Sequence, residues 1–252
     1  MQAYGNENMT AIGIIGSKGR IGHALVGAIG EQDELSHAGG VDQDDDFATL
    51  LAKSDVLVDF SVPEGLSNRL NLCAEAGKPM LVGTTGLEPS HHLSIDAAAS
   101  SIAILQTGNT SLGVNMLAAL VKEAASRLGD DWDIEIVEMH HRHKVDAPSG
   151  TAILLGEAAA QGRGISLDDH SERGRDGQTG ARAKGAIGFA SLRGGSVAGD
   201  HQVILASEEE RIELGHRAEN RMIFARGAVK AALWLTQQQP GRYDMTDMLG
   251  LK

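Results

Sequence analysis

The sequence predicts an α/β fold with a parallel sheet in one domain and an open mixed sheet in a second, smaller α+β domain. Three observations support this prediction. Short apolar runs alternate with stretches of helical pattern up to residue 111, as in βαβ units. A glycine-rich turn separates the first apolar run from the first helix. Beyond residue 112 the composition changes: residues 133–138 alternate polar and apolar side chains, and residues 161–184 are polar.

Five strands and three helices are expected in the first domain. The strands are residues 11–15, a run that closes at Val41 and Asp42, and residues 55–61, 79–82 and 102–105. The helices are residues 21–29, 64–76 and 89–100, and Gly77 is a stop signal after the second of them. Strands and helices that alternate at these lengths predict a parallel sheet.

The second domain is expected to combine helices with a sheet that has one wet face. A helix is predicted over residues 112–128, a half-buried strand over 133–138, and a helix over 149–161 with Ser149 as its N-cap. A long loop is predicted over 161–184, and residues 187–192, 201–206 and 211–214 are expected to form antiparallel strands. The last helix is predicted over 222–235.

The composition indicates a folded chain with an aliphatic core. Hydrophobic residues make up 42% of the 252 positions and aromatic residues only 3%, while 32 glycines predict many tight turns. The formal net charge of −12 gives no support to general nucleic-acid binding, which depends on cations that neutralise phosphates. Cys73 is the single cysteine, so an internal disulfide is excluded and a reducing compartment is indicated.

The N-terminal segment gives no sign of export. Residues 1–9 are polar and lack the apolar stretch of a signal peptide, so they are interpreted as a loose leader. No apolar run reaches the length of about 18–20 residues that a membrane span needs. We therefore expect a cytoplasmic protein without a membrane partner.

The glycine turn is a candidate dinucleotide site. Gly16-Ser17-Lys18-Gly19-Arg20-Ile21-Gly22 follows a strand and opens a helix, where free N–H groups and close backbone approach suit a pyrophosphate. The spacing is G-x-x-G-x-x-G rather than G-x-G-x-x-G, and an ordinary tight turn is the alternative. Asp42 lies 20 residues beyond Gly22, where an acid can accept hydrogen bonds from a ribose diol. An acid in an acidic loop is the alternative there.

The surroundings of Asp42 favour NADH over NADPH. Gln43 follows it in place of an arginine, and three aspartates come next, which would repel a 2′-phosphate. Lys18 or Arg20 could instead bind that phosphate, so NADPH is not excluded.

Two polar turns follow the fourth and fifth expected strands. They are Gly83-Thr84-Thr85-Gly86 and Thr107-Gly108-Asn109-Thr110. Ligands of open parallel sheets bind at the carboxyl ends of the strands, so the two turns together predict a nicotinamide pocket.

A basic segment stands out in this acidic chain. His140-His141-Arg142-His143-Lys144 are consecutive, and Ser149-Gly150-Thr151 follow at an expected helix start. Such groups suit an anion site with acid–base function, in which the helix N-terminus holds a carboxylate. Helix capping alone, a solvated basic loop and a metal site are the alternatives; no metal is predicted, because the expected ligand spacing is missing.

The stretch E-M-H-H-R-H-K-V-D-A-P-S-G-T, residues 138–151, resembles the signature of the 4-hydroxy-tetrahydrodipicolinate reductase (dihydrodipicolinate reductase) family. Further stretches in the family's order are G-x-x-G-R-I-G, V-D-F-S-V-P-E-G, V-G-T-T-G and N-T-S-L-G-V-N. I-G-F-A-S-L-R-G-G and R-M-I-F-A-R-G-A-V-K-A-A-L-W-L follow, so the resemblance covers residues 11–249.

The resemblance implies a function and an architecture. The enzyme would reduce (2S,4S)-4-hydroxy-2,3,4,5-tetrahydrodipicolinate with NAD(P)H, with loss of water, in the diaminopimelate branch of lysine biosynthesis. The fold would be a Rossmann-like cofactor domain, residues 1–111 and 221–252, and a substrate-binding and tetramerisation domain, residues 112–220. A homotetramer is implied, and closure of the two domains would exclude water.

The resemblance also implies a role for each matched residue. His140 would be the catalytic acid/base and Lys144 the proton donor, while His141, Gly150 and Thr151 would bind the substrate. The cofactor would be bound by Gly16, Ser17, Lys18, Gly19, Arg20, Ile21, Asp42, Gly83, Thr84, Thr85, Thr107, Gly108, Asn109 and Thr110. Gln43 and Thr110 depart from the family pattern, in which an arginine and an aromatic residue are found in some members.

Three other functions stay open on the residues alone. They are a different two-domain NAD(P)-dependent oxidoreductase, a non-catalytic dinucleotide sensor and a metal-dependent hydrolase. The first would leave the histidine-rich segment unexplained, and the second would bind NADH without consuming it.

Overall fold

The computed structural model describes residues 9–43 and 45–251, and these contain eleven strands and nine helices. Residues 1–8 of the leader, Asp44 of the acidic run and Lys252 lie outside the described residues. The first half comprises β1 (Thr10–Ile15), α1 (Arg20–Gly30), β2 (Leu35–Val41), α2 (Phe47–Lys53), β3 (Val56–Asp59), α3 (Leu66–Ala76), β4 (Met80–Val82), α4 (Pro89–Ala99) and β5 (Ala103–Gln106). The second half comprises α5 (Leu112–Arg127), β6 (Asp133–His140), α6 (Gly150–Arg163), α7 (Leu167–His170), β7 (Ser171–Glu172), β8 (Ile187–Arg193), β9 (Gly199–Ala206), β10 (Arg211–Ala218), α8 (Met222–Leu235), β11 (Gly241–Tyr243) and α9 (Met245–Met248).

The chain divides into two compact units, each with its own sheet. The first unit is Met1–Leu112 together with Met222–Lys252, and the second is Gly113–Arg221. The helix α8 therefore belongs to the first unit, although it follows the second unit in the chain. None of the helices in the described ranges combines the length and the apolar character that a bilayer crossing requires.

The sheet of the first unit is parallel throughout, in the order β11-β5-β4-β3-β1-β2. Its two faces pack on different helices. Ile12 and Ile14 of β1 face a core that contains α1 and α8, whereas Leu57 of β3 faces a core that contains α2, α3 and α4. The predicted Rossmann-like α/β class is confirmed, with the order reversing between β1 and β3. Ligand crevices of open sheets lie at such a reversal.

The sheet of the second unit is mixed, in the order β10-β9-β6-β8-β7. The inward face of β6, with Ile134 and Ile136, packs on α5 and α6. The predicted open mixed sheet is therefore confirmed.

Two predictions about this unit are wrong. The strand at residues 187–192 was expected to be antiparallel, but β8 pairs in parallel with β6 and β7. The chain passes through α6 and α7 between β6 and β8, and such a crossover returns the strand in the same direction. The stretch 161–184 is also not one long loop, because it contains the end of α6, all of α7 and the short β7.

Candidate active site

The glycine turn of the first unit is shaped by two close backbone approaches. Gly16 has a φ of 84°, and a Cβ there would lie 2.6 Å from the carbonyl oxygen of Phe60. A Cβ at Gly22 would lie 2.4 Å from the carbonyl oxygen of Gly16. A side chain at Gly22 would push the turn away from α1, and a side chain at Gly16 would push it away from the segment after β3. Gly19 is the N-cap of α1 and brings no side chain to that end of the helix, so the turn suits a bound anion.

Asp42 is tied to this turn by hydrogen bonds. Its carboxylate accepts from the Ser17 hydroxyl at 2.8 Å and from the backbone N–H of Lys18 at 3.2 Å. The Lys18 ammonium lies 3.9 Å from Asp42 and 3.4 Å from Asp45. The Asp42 backbone N–H and then Lys18 hold the pKa of Asp45 below its ordinary value. Lys18 therefore faces two carboxylates, although its side chain, like that of the neighbouring Arg20, is exposed.

The turns after β3 and β4 are packed against each other. A Cβ at Gly83 would lie 2.5 Å from the ring of Phe60. The buried Thr84 donates to Asp59 at 3.0 Å, and Arg69 donates to the other oxygen of Asp59 at 2.9 Å. Asp59 is fully buried. Phe60 and Asp59 were given no role from the sequence, although they lie inside the V-D-F-S-V-P-E-G stretch.

The turn after β5 is ordered by its own hydrogen bonds. The Thr107 hydroxyl accepts from the Asn109 N–H at 3.1 Å, and Thr110 donates to the carbonyl of Phe224 at 2.7 Å. Thr107 and Thr110 are buried, whereas Gly108 and Thr85 are exposed. The structure thus brings every predicted cofactor residue to the carboxyl edge of one sheet. The members of this group are Gly16, Ser17, Lys18, Gly19, Arg20, Ile21, Asp42, Gly83, Thr84, Thr85, Thr107, Gly108, Asn109 and Thr110.

His140 ends β6 in the second unit and contacts a buried carboxylate. Its Nδ1 lies 2.5 Å from Oε2 of Glu138, and both side chains are almost fully buried. Arg193 donates to both oxygens of Glu138 at 2.9 Å, and the Ser149 N–H donates to Oε1 at 3.3 Å. Burial raises the pKa of Glu138, but Arg193 and His140 outweigh it and hold that pKa below its ordinary value. Glu138 is therefore an anion among donors.

A second histidine packs on His140 from β9. The rings of His140 and His201 meet edge to face, with centroids 5.0 Å apart. His201 Nε2 lies 3.1 Å from the hydroxyl of Ser149, which also accepts from the N–H of Ala152 and so caps α6 as predicted. Burial, followed by the charge of His140, lowers the pKa of His201 to about 4. His201 and Arg193 were not singled out from the sequence.

The rest of the basic segment lies in the loop after β6. Arg221 donates to Nε2 of His141 at 2.9 Å, and burial together with Arg221 lowers the pKa of His141. The Lys144 ammonium is 2.8 Å from Asp146. Arg142 and His143 are exposed.

The N-terminus of α6 belongs to the same unit. Gly150 and Thr151 form its first turn, directly after Ser149. Ser149 is bonded to the partners of His140 on both sides, since its N–H reaches Glu138 and its hydroxyl reaches His201. The second unit therefore joins the end of β6 to a helix N-terminus that can accept an anion. Among the residues described, no cluster of three or more histidine, cysteine or acidic side chains could hold a metal ion.

Two family models match almost the whole chain. The model for the N-terminal part of dihydrodipicolinate reductase matches residues 10–110, and the model for its C-terminal part matches residues 113–249. The chain belongs to the dihydrodipicolinate reductase family. This confirms the resemblance seen in the signature stretch and the expected class, an NAD(P)H-dependent oxidoreductase.

Relatives and a solved structure agree with this membership. A protein of Zymomonas mobilis named 4-hydroxy-tetrahydrodipicolinate reductase is 56% identical over 252 residues, which cover 97% of this chain and 99% of the relative. One of the same name from Parvibaculum lavamentivorans is 52% identical over 263 residues, which cover 95% and 97% of the two chains. The fold matches a dipicolinate-bound dihydrodipicolinate reductase from Paenisporosarcina with a TM-score of 0.77 at 22% identity, covering 96% of this chain and 99% of that one.

Proposed function

We propose that this member of the dihydrodipicolinate reductase family reduces (2S,4S)-4-hydroxy-2,3,4,5-tetrahydrodipicolinate with NAD(P)H, with loss of water, in the diaminopimelate branch of lysine biosynthesis. The close relatives that carry the reductase name support this reaction. The observation that carries it in the structure is the contact of His140 with Glu138, beside the N-terminus of α6. A buried imidazole next to an anion-binding helix end suits proton transfer on a carboxylate substrate.

The first unit, residues 1–111 and 221–252 in the sequence-based division, would bind the dinucleotide. The uncapped N-terminus of α1 and the open turn at Gly19 fit a pyrophosphate, and Asp42 fits a ribose diol. Thr84, Thr107 and the other residues of the two polar turns would frame the nicotinamide. The bound cofactor supplies the hydride; the chain orients it and excludes water.

The second unit, residues 112–220, would bind the substrate. Gly150 and Thr151 offer backbone N–H groups to one carboxylate, and His141 offers a ring held by Arg221. His140 would act as acid/base at Nε2, and Lys144 would donate the proton that the reduced substrate needs. The ion pair of Lys144 with Asp146 holds that side chain in the loop after β6.

NADH is the proposed preference. The support is the position of Lys18, whose ammonium is shared by Asp42 and Asp45 and is therefore partly neutralised toward a 2′-phosphate. Arg20 is the other exposed cation of the turn.

A homotetramer in the cytoplasm completes the proposal. Side chains on the sheet face opposite α5 and α6 include the half-exposed Leu192 of β8, and the apolar Met139 and Ile204 alternate onto the same face. Such a face suits subunit contacts. Sedimentation of the purified protein tests the tetramer, and cell fractionation tests the location.

A coupled assay tests the reaction. Pyruvate and aspartate semialdehyde are condensed by the preceding synthase, and oxidation of NADH and of NADPH is followed in parallel. Oxidation that depends on the synthase supports the proposal, and a higher rate with NADH supports the preference. Absence of oxidation by a folded protein that binds NADH would favour a sensor or another substrate.

A further inference from the structure

The carboxylate of Glu138 has all its acceptor positions filled. It receives the Nδ1 of His140 and one guanidinium nitrogen of Arg193 at Oε2, and a second nitrogen of Arg193 and the Ser149 N–H at Oε1. The Ser191 side chain is a further hydrogen-bond partner of the carboxylate. A carboxylate offers about four lone-pair positions. Glu138 therefore accepts from every neighbour and donates to none.

This arrangement fixes the proton on the ring of His140. Because an ionised carboxylate can only accept, the ring must present Nδ1–H to Glu138, and Nε2 is left as the atom that gains and loses a proton. A Cβ at position 199 would lie 3.0 Å from that Nε2, and Gly199 leaves this space open. Nε2 of His140 therefore lies next to a glycine, and no side chain at position 199 blocks it.

We propose that Glu138 is the positioning residue for His140 and that Arg193 holds Glu138 in place. Glu138 sets the tautomer and the orientation of the ring, and its bond to the Ser149 N–H holds the start of α6 in register with that ring. The inference rests on the proposed function for the role of His140, but the tautomer itself is a property of the folded chain. Neither Glu138 nor Arg193 touches the reacting atoms in this account.

The charges around His140 decide in which direction the pH profile of activity shifts in Glu138→Gln. Glu138 is the anion at the ring; Arg193 from β8 and Lys144 from the following loop are cations, and His201 from β9 and His141 add imidazoles. Glu138→Gln removes the anion and leaves Arg193 beside the ring. The protonated ring is then disfavoured, so the limb of the pH profile that reports it moves to lower pH.

Glutamine cannot replace the hydrogen bonds. If its oxygen accepts from His140, its NH₂ group faces Arg193 and the Ser149 N–H, and donors then oppose donors. We expect Glu138→Gln to lower kcat by about tenfold or more, because acid–base catalysis contributes about 10²–10⁴-fold and depends on the position of the ring, while NADH affinity is unchanged. The matched control is Glu135→Gln on the same strand, which also removes a carboxylate paired with arginines, here Arg175 and Arg182.

The experiment combines the coupled assay against pH with solid-state ¹⁵N NMR of histidine-labelled protein. The His140 signal is assigned by its loss in His140→Gln. The proposal expects Nδ1–H on the His140 ring in the wild type and in Glu135→Gln, and a lower kcat with a pH profile shifted to lower pH in Glu138→Gln. A wild-type ring protonated at Nε2 alone, or a Glu138→Gln variant with the kcat and pH profile of the control, overturns it.

The two readouts separate this inference from the proposed function. An inactive wild type with Nδ1–H at His140 would refute the reductase reaction and leave the positioning role intact. An active wild type with the proton on Nε2 of His140 would support the reductase reaction and refute the positioning role of Glu138. The wild-type spectrum and its assignment do not depend on Glu138→Gln, so the proposal can be refuted even if that variant does not fold.

Discussion

Asp59→Asn should destabilise the first unit strongly, because it disrupts a buried ion pair at the carboxyl end of β3. Asp59 is fully buried and accepts from Ser61, Thr84 and Arg69. Asparagine keeps Oδ1 and its bonds to Ser61 and Thr84, but places NH₂ where Oδ2 now accepts from Arg69 at 2.9 Å. A lost buried charged partner costs about 3–5 kcal/mol, and since the guanidinium keeps carbonyl partners we expect about 3 kcal/mol.

Urea unfolding with a probe in each unit measures this loss. The control is Asp96→Asn, which breaks another aspartate–arginine pair, at 2.7 Å to Arg242, with both side chains partly exposed. Exposed pairs contribute about 0–1 kcal/mol, so the control should be nearly neutral. Asp59→Asn should also weaken NADH binding, because the oxygen that accepts from Thr84 is then neutral and orders that turn less strongly. If the two variants were equally stable, the Asp59–Arg69 pair would not stabilise the carboxyl end of β3, and the reasoning would be refuted.

Three further predictions concern the cofactor, the pH dependence and the proton donor. Asp45→Asn should raise kcat/KM for NADPH relative to NADH a few-fold in parallel assays, because Lys18 loses its nearer carboxylate. Burial lowers the pKa of His201 from 6.5 to about 4, so the unfolded chain binds the proton first and stability is lost as pH falls from 6.5 to 4. This loss should reach about 3 kcal/mol in urea titrations and be smaller in His201→Gln. Lys144→Ala should lower kcat by about a hundredfold or more while the NADH dissociation constant stays unchanged.

The elements with strong local signals could be predicted from the sequence. The last long helix was placed at 222–235, as α8 has it, and Gly77 ends α3 with a φ of 65°. Ser149 caps α6 as expected. Each of these depends on a few neighbouring residues: an apolar helical period, a glycine that adopts a left-handed conformation, and a hydroxyl next to free N–H groups.

Some short elements were not predicted from the sequence, among them α2 and β11, although the equally short β4 was. The helix α2 has seven residues and follows the acidic run, and β11 has three residues. Their local preference is weak, and tertiary contacts stabilise them: β11 pairs with β5, and Leu50 and Leu51 of α2 are buried in the core of the first unit. The direction of β8 was a different error, because the helix predicted at 149–161 lies between β6 and β8, and such a crossover joins parallel strands.

The partners of His140 depend on the register of the neighbouring strands, and this register could not be predicted from the sequence. Glu138 is paired with His201 of β9 and Ser191 of β8, and His140 is paired with Arg193. Paired residues on neighbouring strands point to the same face, so these polar side chains had to meet once the strands were aligned. Arg193 is 55 residues from Glu138 in the sequence. A single arginine at the end of a strand is ordinarily predicted to be exposed, so its contact with Glu138 was not expected.

One signal for this cluster was nevertheless present in the strand itself. The period of two that puts Ile134 and Ile136 on the core face of β6 also puts Glu138 and His140 there. A carboxylate and an imidazole on a core face are costly unless every polar atom finds a partner. The alternation therefore required cationic and hydrogen-bonding partners from other strands at the end of β6, and it separated His140 from Arg142 and His143, which lie beyond the strand and are exposed.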